Sequence, residues 1–370
     1  MFEKLQRKLS KRKEENCFRE LQLNGDLVDF CSNDYLGLSK LLDIKNSDPV
    51  GSTGSRLLQG NYPLIEELEK DLAEFHKCSS ALVYNSGYAA NVGLFSALPQ
   101  KGDIVLYDEL IHASVKDGMR LSFATSYSFK HNDMKDFKLK LQKVKEGFDG
   151  EIFAAVESVY SMDGDQAPLL ELADLSEQHE FTLVVDEAHA VGVFGDQGEG
   201  LVQALGLEDK VAVRVMTFGK ALGCHGAAVL CPELIKEYLI NFSRSFIYST
   251  ALPPASVTVI RHAYSFMKST KQISILKEKI KYFKEGATAR GVIGLMSSGS
   301  AIQCIVKSGN TYAKECSQLL QDQGFDVRPI LSPTVLVGKE RLRICIHAFN
   351  SELEIDQLLD NLSRFNVIKN

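Results

Sequence analysis

Lys220 stands in a setting that is unusual for a lysine. It lies in the stretch TFGKALGCHGA, residues 217–227, among glycines and small apolar residues and directly after a strand-like run. Lysine is rarely surrounded by such residues unless its ammonium group is paired, because an unpaired charge is costly to bury. The sequence therefore raises the question of which group Lys220 binds.

A carboxylate and an imidazole follow a second strand-like run. The stretch FTLVVDEAHAVG has Asp186 at the end of an apolar run and His189 three residues later. Taken alone, Asp186 could cap the next turn and His189 could be a satisfied core residue. The run VAVRVMTFGK, however, brings Thr217 and Lys220 to the same sheet edge, where loops of α/β proteins usually hold ligands.

Two interpretations fit Asp186 and Lys220. They could form a salt bridge, or they could be the two ends of a pyridoxal phosphate site, in which lysine forms a Schiff base and aspartate partners the pyridinium nitrogen. A salt bridge alone leaves the glycines around Lys220 unexplained, whereas glycines let a cofactor approach the backbone. A phosphate would need a cradle, and Ser86-Gly87 stand directly before the helix-like AANVGLFSAL, whose N-terminus would attract an anion. Ser-Gly before a helix is a weak signal alone, but the three features together predict this cofactor.

The elements that must position these residues follow an α/β order. From about residue 104 to residue 230, helical stretches alternate with the apolar runs DIVLYD, EIFAAVES, FTLVVDEAH, VAVRVMTFG and AAVLC. Such runs suit strands buried on both faces of a parallel or mixed sheet. The stretch PLIEELEKDLAEFH, residues 63–76, predicts an amphipathic helix. A helical region over 255–290 leads into SAIQCIV, a further helix, RLRICIH and a final helix.

This order predicts an α/β protein of two lobes. We expect a large lobe with a mostly parallel central sheet sandwiched by helices, and a smaller C-terminal α+β lobe. The expected domains are an N-terminal helical or extended segment over 1–45, a large cofactor-binding domain over 46–268 and a small domain over 269–370. The basic opening, residues 4–13, predicts a solvated helix that packs on the body of the protein, and a targeting helix is the alternative.

Composition narrows the function classes. The formal net charge of −6 and the pI of about 5.8 argue against a basic surface for nucleic acid, so none is expected as a partner. No apolar run reaches the roughly 18 residues that span a bilayer and no signal-peptide segment opens the chain, which predicts a cytoplasmic protein that does not bind membranes. Eight scattered cysteines without a C-x-x-C pair predict reduced core thiols and no metal site.

Ordered sequence blocks give the chain a family resemblance. From about Asn33 to the C-terminus it resembles the α-oxoamine synthases, a family of fold-type-I pyridoxal phosphate enzymes. The blocks are SNDYLGLS, GSTGSR, NSGYAAN, HAS at 112–114, SMDGD, VDEAH, TFGKALG, IYSTALPP and RLRI. Within the family, the chain looks most like the biotin-pathway members that make 8-amino-7-oxononanoate.

The resemblance implies roles for the residues around the cofactor. Lys220 would hold the cofactor in a Schiff base and later move the α-proton of the substrate, while Asp186 would keep the pyridine nitrogen protonated. His189 would bond the ring hydroxyl and His112 would stack on the ring. The residues expected at the phosphate are Ser86, Gly87, Tyr88 and Thr217, with Ser161 nearby and Thr250 reaching across from a neighbouring subunit. Thr250 thus implies a homodimer with shared active sites.

Several of these residues also have plainer interpretations. His112 could be a surface residue at a helix start, and Ser161 could be a simple turn residue. Thr217 could be only a strand end. Thr250 could be a loop residue before Pro253.

The resemblance also implies substrate residues. Arg343 matches an arginine expected to pair with the amino acid carboxylate through a bidentate contact. The alternative for Arg343 is an exposed strand charge. Asn33 and Thr334 match positions near the substrate, and Arg19 loosely matches an N-terminal arginine near the acyl chain.

Two positions depart from the family pattern. Tyr88 stands where phenylalanine is frequent, a mild change if the backbone makes the phosphate contact. Leu331 stands three residues before Thr334, where some biotin-pathway members have arginine. Leu331 therefore leaves open how the distal carboxylate of the acyl chain is recognised.

The expected activity is a decarboxylative condensation. L-Alanine would react with a pimeloyl thioester of coenzyme A or of an acyl carrier protein, giving 8-amino-7-oxononanoate, CO2 and the free thiol. Sister enzymes that share the cofactor residues are the nearest alternatives: glycine C-acetyltransferase, 5-aminolevulinate synthase and serine palmitoyltransferase.

Two other classes fit the sequence less well. A binding module without turnover would be expected to have lost Lys220, Asp186 or His112, and all three are present. A dinucleotide-binding oxidoreductase would need G-x-G-x-x-G, which GVFGDQGEG at 192–200 does not match. The G-x-S-x-G motif of many hydrolases is absent as well.

Overall fold

The structure is a computed structural model that describes residues 2–23, 25–44 and 47–365, and it divides into two compact units. The N-terminal residues belong to the same unit as the C-terminal part of the chain. The larger unit comprises Asp34–Ser161 and Gln166–Ile273, and the smaller unit comprises the described residues of Met1–Asn33, Met162–Asp165 and Ser274–Asn370. The sequence-based domain boundaries stay predictions, and the one between residues 45 and 46 lies outside the described residues.

Helices and strands alternate along most of the chain. The helices are α1 (Glu3–Glu14), α2 (Leu38–Leu41), α3 (Pro63–Phe75), α4 (Gly87–Ala97), α5 (Ala113–Leu121), α6 (Met134–Lys145), α7 (Leu169–His179), α8 (Leu201–Ala204), α9 (Glu233–Phe242), α10 (Arg244–Ile247), α11 (Pro254–Ser269), α12 (Gln272–Ala289), α13 (Asn310–Asp322) and α14 (Glu352–Arg364). The strands are β1 (Val28–Asp29), β2 (Ser80–Tyr84), β3 (Ile104–Asp108), β4 (Thr125–Phe129), β5 (Ile152–Glu157), β6 (Thr182–Asp186), β7 (Val213–Thr217), β8 (Ala227–Cys231), β9 (Ile302–Val306), β10 (Phe325–Asp326), β11 (Arg328–Ile330) and β12 (Arg341–Cys345).

A seven-stranded sheet forms the centre of the larger unit. Its order is β2-β8-β7-β6-β5-β3-β4, and neighbours are parallel except at β8, which is antiparallel to both β2 and β7. Helices α5 to α8 lie in the connections between consecutive parallel strands, because parallel neighbours need a crossover. The predicted α/β fold with a mostly parallel sheet is confirmed.

The central strands are buried on both faces of the sheet. In β5, Ala154 and Val156 belong to one apolar cluster, whereas Phe153 and Ala155 belong to a second. Every position of this strand is buried, which is why the run EIFAAVES shows no apolar and polar alternation. Packing on both faces holds the carboxyl ends of β5, β6 and β7 in fixed register, and the predicted site residues lie at these ends.

Three features differ from the sequence-based expectation. The apolar runs do not include β2 or β4, and β4 is an edge strand with four of its five residues at least partly exposed. The helical region over 255–290 is two helices, α11 and α12, separated by an extended Thr270. α1 forms, but none of its residues is buried, so the prediction that this helix packs on the body was wrong.

The smaller unit combines two short sheets with helices. Strands β11, β12 and β9 form an antiparallel sheet in that order, and β1 pairs with β10 in parallel. Helix α14 begins with a capping box, in which the Ser351 hydroxyl accepts the Glu354 N–H and the Glu354 carboxylate accepts the Ser351 N–H. The cap fixes the start of a helix whose apolar face is buried.

The cysteines agree with the expectation from the sequence. All eight cysteines are free and five are buried, as expected for reduced core thiols. Burial raises the pKa of Cys304 to about 12, which keeps this thiol uncharged. Within the described ranges, no helix combines the length and the apolar character needed to cross a bilayer.

We expect Ser351→Ala to destabilise the protein by about 1 kcal/mol, because it removes the acceptor that caps α14. Urea unfolding followed by circular dichroism measures the change. The matched control is Ser363→Ala, which removes a hydroxyl that bonds only a carbonyl of its own helix. Equal loss of stability in both variants would contradict the role of the cap.

Candidate active site

The carboxyl ends of three neighbouring strands meet at one cavity of about 240 Å³. Asp186 at the end of β6 is the direct register partner of Glu157 at the end of β5 and of Val215 in β7, which ends two residues later at Thr217. All of the cavity residues belong to the larger unit. The cavity is lined by Ser86, Gly87, Tyr88, Asn91, His112, Ser114, Glu157, Asp186, Ala188, His189, Thr217, Gly219, Lys220, His225 and Gly226.

Lys220 contacts a histidine in the cavity. Its Nζ lies 2.7 Å from Nε2 of His189, whose Nδ1 lies 2.7 Å from the Tyr35 hydroxyl. A protonated lysine can only donate, so Nε2 accepts and the ring proton sits on Nδ1, which donates to the Tyr35 oxygen. Tyr35 is fully buried, and this chain of contacts therefore orients both His189 and Lys220. The sequence analysis included Tyr35 in a block but did not single it out.

Asp186 is a buried carboxylate with two good donors. Its Oδ2 accepts from Nδ2 of Asn91 at 2.7 Å, and its Oδ1 accepts from the backbone N–H of Ala188 at 2.9 Å. Hydrogen bonds of this kind stabilise the ionised form of a carboxyl group. The second proton of Asn91 Nδ2 bonds the Ser114 hydroxyl at 3.0 Å, which links this site to α5.

His112 stands at the start of α5, and Ser114, the partner of Asn91, holds its ring in place. Its Nδ1 accepts from the backbone N–H of Ser114 at 3.2 Å and lies 2.7 Å from the Ser114 hydroxyl, which therefore donates to it. Burial lowers the pKa of His112 below its usual value, and although Asp186 opposes the shift, Lys220 adds to it. His112 is thus a neutral ring at pH 7, with its orientation fixed by Nδ1.

The N-terminus of α4, where the sequence predicts a phosphate cradle, lines the cavity. Ser86 is the N-cap, and its hydroxyl accepts from the Ala89 N–H at 3.1 Å. A Cβ at Gly87 would collide with Cγ2 of Thr217, so glycine is required for this approach of helix and strand. The N–H groups of the first helical turn have no partner within the helix, and together with the Thr217 hydroxyl they suit a phosphate.

Tyr88 points its hydroxyl at a carboxylate on the next helix. It donates to Asp117 of α5, and Asp117 also accepts from Nη1 of Arg120 at 2.7 Å. This contact does not use the backbone of Tyr88. The departure from phenylalanine therefore adds a link between α4 and α5 and leaves the N-terminal amides of α4 unchanged.

Glu157 was missed by the sequence analysis. It is fully buried in the cavity wall, and its Oε2 accepts from the Ser161 N–H at 3.1 Å. Burial and the neighbouring Asp186 raise the pKa of Glu157 to about 8, although Lys220 opposes them. The signal was present, because Glu157 directly follows the apolar run IFAAV, just as Asp186 directly follows the run FTLVV. Asn91 and Ser114 had no comparable local signal.

Two predicted cofactor residues lie outside the cavity wall. Ser161 is buried and meets the site through its N–H bond to Glu157. Thr250 lies in an exposed loop, where its carbonyl accepts from Nδ2 of Asn85 at 2.5 Å and its backbone forms a bridge with Ser55.

The predicted substrate residues form two pairs in the smaller unit. Nη2 of Arg343 donates to Oδ1 of Asn33 at 3.0 Å, and Nη1 lies 3.0 Å from the Cys345 sulfur. Nη2 of Arg19 donates to the Thr334 hydroxyl at 3.2 Å. Each pair joins an N-terminal residue to one that is about 310 positions later in the chain.

The cavity residues fit pyridoxal phosphate. A lysine is available for the aldehyde, a buried carboxylate for the ring nitrogen, and a helix N-terminus with a hydroxyl for the phosphate. Oδ1 of Asn91 and Oε1 of Glu157 are buried without a hydrogen-bond partner among the described residues. Such atoms are expected where a polar ligand supplies the missing bond.

Comparison with known proteins agrees with this fit. The family model of the aminotransferase class I and II family matches residues 25–362. The chain is 42% identical to an 8-amino-7-oxononanoate synthase of Emericella nidulans, over 97% of this chain and 94% of that protein. It is also 36% identical to the aminoacyl transferase sphA of Aspergillus fumigatus, over 92% of this chain and 81% of that protein.

Solved structures resemble the whole chain. A serine palmitoyltransferase of Sphingomonas wittichii superposes with a TM-score of 0.90 at 25% identity, covering 100% of this chain and 98% of that one. An 8-amino-7-oxononanoate synthase of Francisella tularensis superposes with a TM-score of 0.79 at 28% identity, covering 93% and 98%.

The fold and the cavity define a pyridoxal-phosphate-dependent enzyme of fold type I. The chain belongs to the aminotransferase class I and II family and, within it, to the α-oxoamine synthases, which are acyltransferases. The cofactor and the enzyme class predicted from the sequence are thereby confirmed.

We expect Gly87→Ala to weaken cofactor binding about tenfold, because the added methyl group overpacks the contact with Thr217. Equilibrium dialysis of pyridoxal phosphate measures the change. Gly51→Ala is the matched control, since a Cβ there meets no atom within 4 Å. The double variant Gly87→Ala with Thr217→Ser removes the colliding methyl group and keeps the hydroxyl, so it should regain affinity. Failure of this rescue would contradict the steric account.

Proposed function

We propose that this protein condenses L-alanine with a pimeloyl thioester, releasing 8-amino-7-oxononanoate, CO2 and the free thiol. The observation that carries the proposal is 42% identity, over nearly the full length of both chains, to a protein named 8-amino-7-oxononanoate synthase. The cavity residues support the cofactor chemistry, and the two arginine pairs of the smaller unit support the choice of substrates. Sister activities are the alternative, because serine palmitoyltransferases share the fold.

Pyridoxal phosphate, when bound, supplies an aldehyde for covalent attachment and a ring that withdraws electrons from the substrate α-carbon. Lys220 is proposed to bind the aldehyde and then to remove the α-proton of alanine as general base. Asp186, whose carboxyl group accepts from Asn91 and from the Ala188 N–H, is proposed to pair with the ring nitrogen. His112, a neutral ring held at Nδ1, is proposed to stack on the cofactor.

Arg343 is proposed to bind the carboxylate of alanine. The Arg343 guanidinium donates from Nη2 to Asn33, and its Nη1 faces the Cys345 sulfur. These two contacts hold the planar guanidinium in one orientation. A fixed fork suits bidentate recognition of a carboxylate. That carboxylate leaves as CO2 after the new carbon–carbon bond has formed, and the thiol of the acyl carrier is displaced by the α-carbon.

Arg19 is proposed to bind the distal carboxylate of the pimeloyl chain. Leu331 cannot do so, but the Thr334 N–H donates to the Leu331 carbonyl and closes a short turn. Arg19 donates to the Thr334 hydroxyl of the same turn. A cation is thus available at this turn although position 331 is apolar.

The active assembly is proposed to be a homodimer. Thr250 would then reach the phosphate of the partner subunit, which is consistent with its position outside the cavity of its own chain. Tyr248, two residues earlier, is 73% exposed, and Leu58 is 81% exposed near Ser55, the bridge partner of Thr250. Exposed apolar side chains of this size suit burial against a second copy.

The substrate assignment is tested by offering the cofactor-loaded protein a pimeloyl thioester with alanine, glycine or serine. We expect a product of the correct mass with alanine only, and none from Lys220→Ala, which should also lose the visible absorption of the bound cofactor. A product mainly with glycine or serine would retain the cofactor chemistry and assign the protein to a sister activity. An unchanged spectrum of Lys220→Ala would contradict the role of this lysine.

The acyl assignment is tested by comparing pimeloyl with heptanoyl thioester, which has the same chain length without the carboxylate. Arg19→Gln should lower kcat/KM for the pimeloyl substrate by up to about fivefold, since an exposed charged hydrogen bond contributes at most roughly 1 kcal/mol. It should leave the heptanoyl substrate unchanged, and Leu331→Arg should increase the preference for pimeloyl. Arg7→Gln, in an exposed pair with Glu3, is the control. Equal effects of Arg19→Gln on both substrates would exclude carboxylate recognition.

A further inference from the structure

Two carboxyl groups share the cofactor cavity, and the mechanism above uses only one of them. Glu157 and Asp186 are direct partners in the parallel register of β5 and β6, and both line the cavity. Their side chains are nearly inaccessible to solvent, with exposed fractions of 3% and 6%. Two carboxylates at one buried site repel each other, which makes it costly to ionise both.

The hydrogen bonds decide which of the two keeps its proton. Both oxygens of Asp186 accept from donors, one from Asn91 and one from Ala188. Glu157 uses Oε2 for the Ser161 N–H, whereas its Oε1 is buried without a hydrogen-bond partner in the described part of the chain. An atom of this kind is suited to carry a proton and to donate it to a ligand.

Other titratable groups face Glu157 and Asp186 from neighbouring elements. Lys220 follows β7, His112 precedes α5 and its backbone N–H faces the Glu157 carboxyl, and His189 follows β6. The lysine favours ionised carboxyl groups, but it lies in contact with His189 at 2.7 Å. Lys220 is the one lysine or arginine among the residues that line the cavity, so it can balance one carboxylate, and Asp186, which accepts two hydrogen bonds, is the better stabilised of the two.

We propose that Glu157 is a cofactor-binding residue that stays protonated beside the Asp186 carboxylate and presents the proton on Oε1 to an oxygen of the bound cofactor. In this arrangement the cavity carries one carboxylate at neutral pH. A second negative charge appears only when Glu157 ionises, and it then opposes the binding of the anionic cofactor. The inference rests on the cofactor site of the proposed function and is independent of which amino acid and acyl group react.

The test compares wild type, Glu157→Gln and Glu157→Ala. Glutamine is neutral at every pH and can donate a hydrogen bond, whereas alanine is equally neutral but has no donor. The dissociation constant of pyridoxal phosphate is measured by equilibrium dialysis at pH 6.5 and pH 9. At pH 6.5 we expect Glu157→Gln to bind the cofactor as tightly as wild type. At pH 9 we expect it to bind about tenfold more tightly than wild type, because the ionised Glu157 of wild type then repels the cofactor; a tenfold change corresponds to about 1.4 kcal/mol. Glu157→Ala should bind more weakly than Glu157→Gln at both pH values.

A second measurement needs no cofactor. The pKa of Glu157 rises from 4.5 to about 8 on folding, so the folded protein holds a proton that the unfolded chain releases. Stability therefore falls as pH rises through this window. The Tm of wild type should decrease relative to that of Glu157→Gln between pH 5 and pH 8. Glu187, whose pKa burial raises to about 7, titrates equally in both proteins and cancels from the difference.

Two outcomes would overturn the proposal. A ratio of the wild-type and Glu157→Gln dissociation constants that is constant from pH 6.5 to pH 9, with parallel Tm curves, would show that Glu157 does not hold a proton. Equal binding by Glu157→Gln and Glu157→Ala would remove the donor role. Cofactor binding without any alanine-dependent product would instead contradict the proposed function and leave this inference intact.

Discussion

The buried carboxylate at the end of β6 is the constraint on which the rest of the site depends. At 6% exposure an unpaired polar group is costly, and donors reach the Asp186 carboxyl group from Asn91 of α4 and from the backbone after β6. Asn91 also bonds Ser114, which in turn fixes His112 at the start of α5. The donors that satisfy one carboxyl group thus connect α4, the central sheet and the start of α5 through hydrogen bonds.

Much of the fold and of the site could be predicted because the end of a buried strand can be recognised in the sequence. Buried parallel strands are continuous apolar runs, and the first polar residue after such a run marks the ligand-binding edge. This rule led to Asp186, Thr217 and Lys220, and the structure brings all three to one cavity. Applied consistently, it would also have found Glu157.

The missed features lack a local signal. Edge strand β4, with the sequence TSYSF, is largely exposed and has no apolar run. The end of α11 contains neither proline nor glycine near Thr270, so the helical pattern appears continuous with α12. Asn91 lies 95 positions from Asp186, and only the packing of α4 against the sheet brings the two together. Contacts of this kind depend on tertiary structure rather than on a motif.

The division between the two units has a consequence for specificity. Every residue that lines the cofactor cavity belongs to the larger unit, and the Arg343 and Arg19 pairs belong to the smaller one. Any α-oxoamine synthase needs the same electron withdrawal from the α-carbon, so the residues proposed for that chemistry would serve every member of the family. Discrimination requires polar groups placed to match one substrate and to remain unpaired with another. In this chain Arg19, the cation proposed to bind a dicarboxylic acyl chain, donates to Thr334 in the turn that begins at Leu331. Family motifs are selected for the shared chemistry, and they therefore identify the cofactor site far more sharply than they identify the substrate.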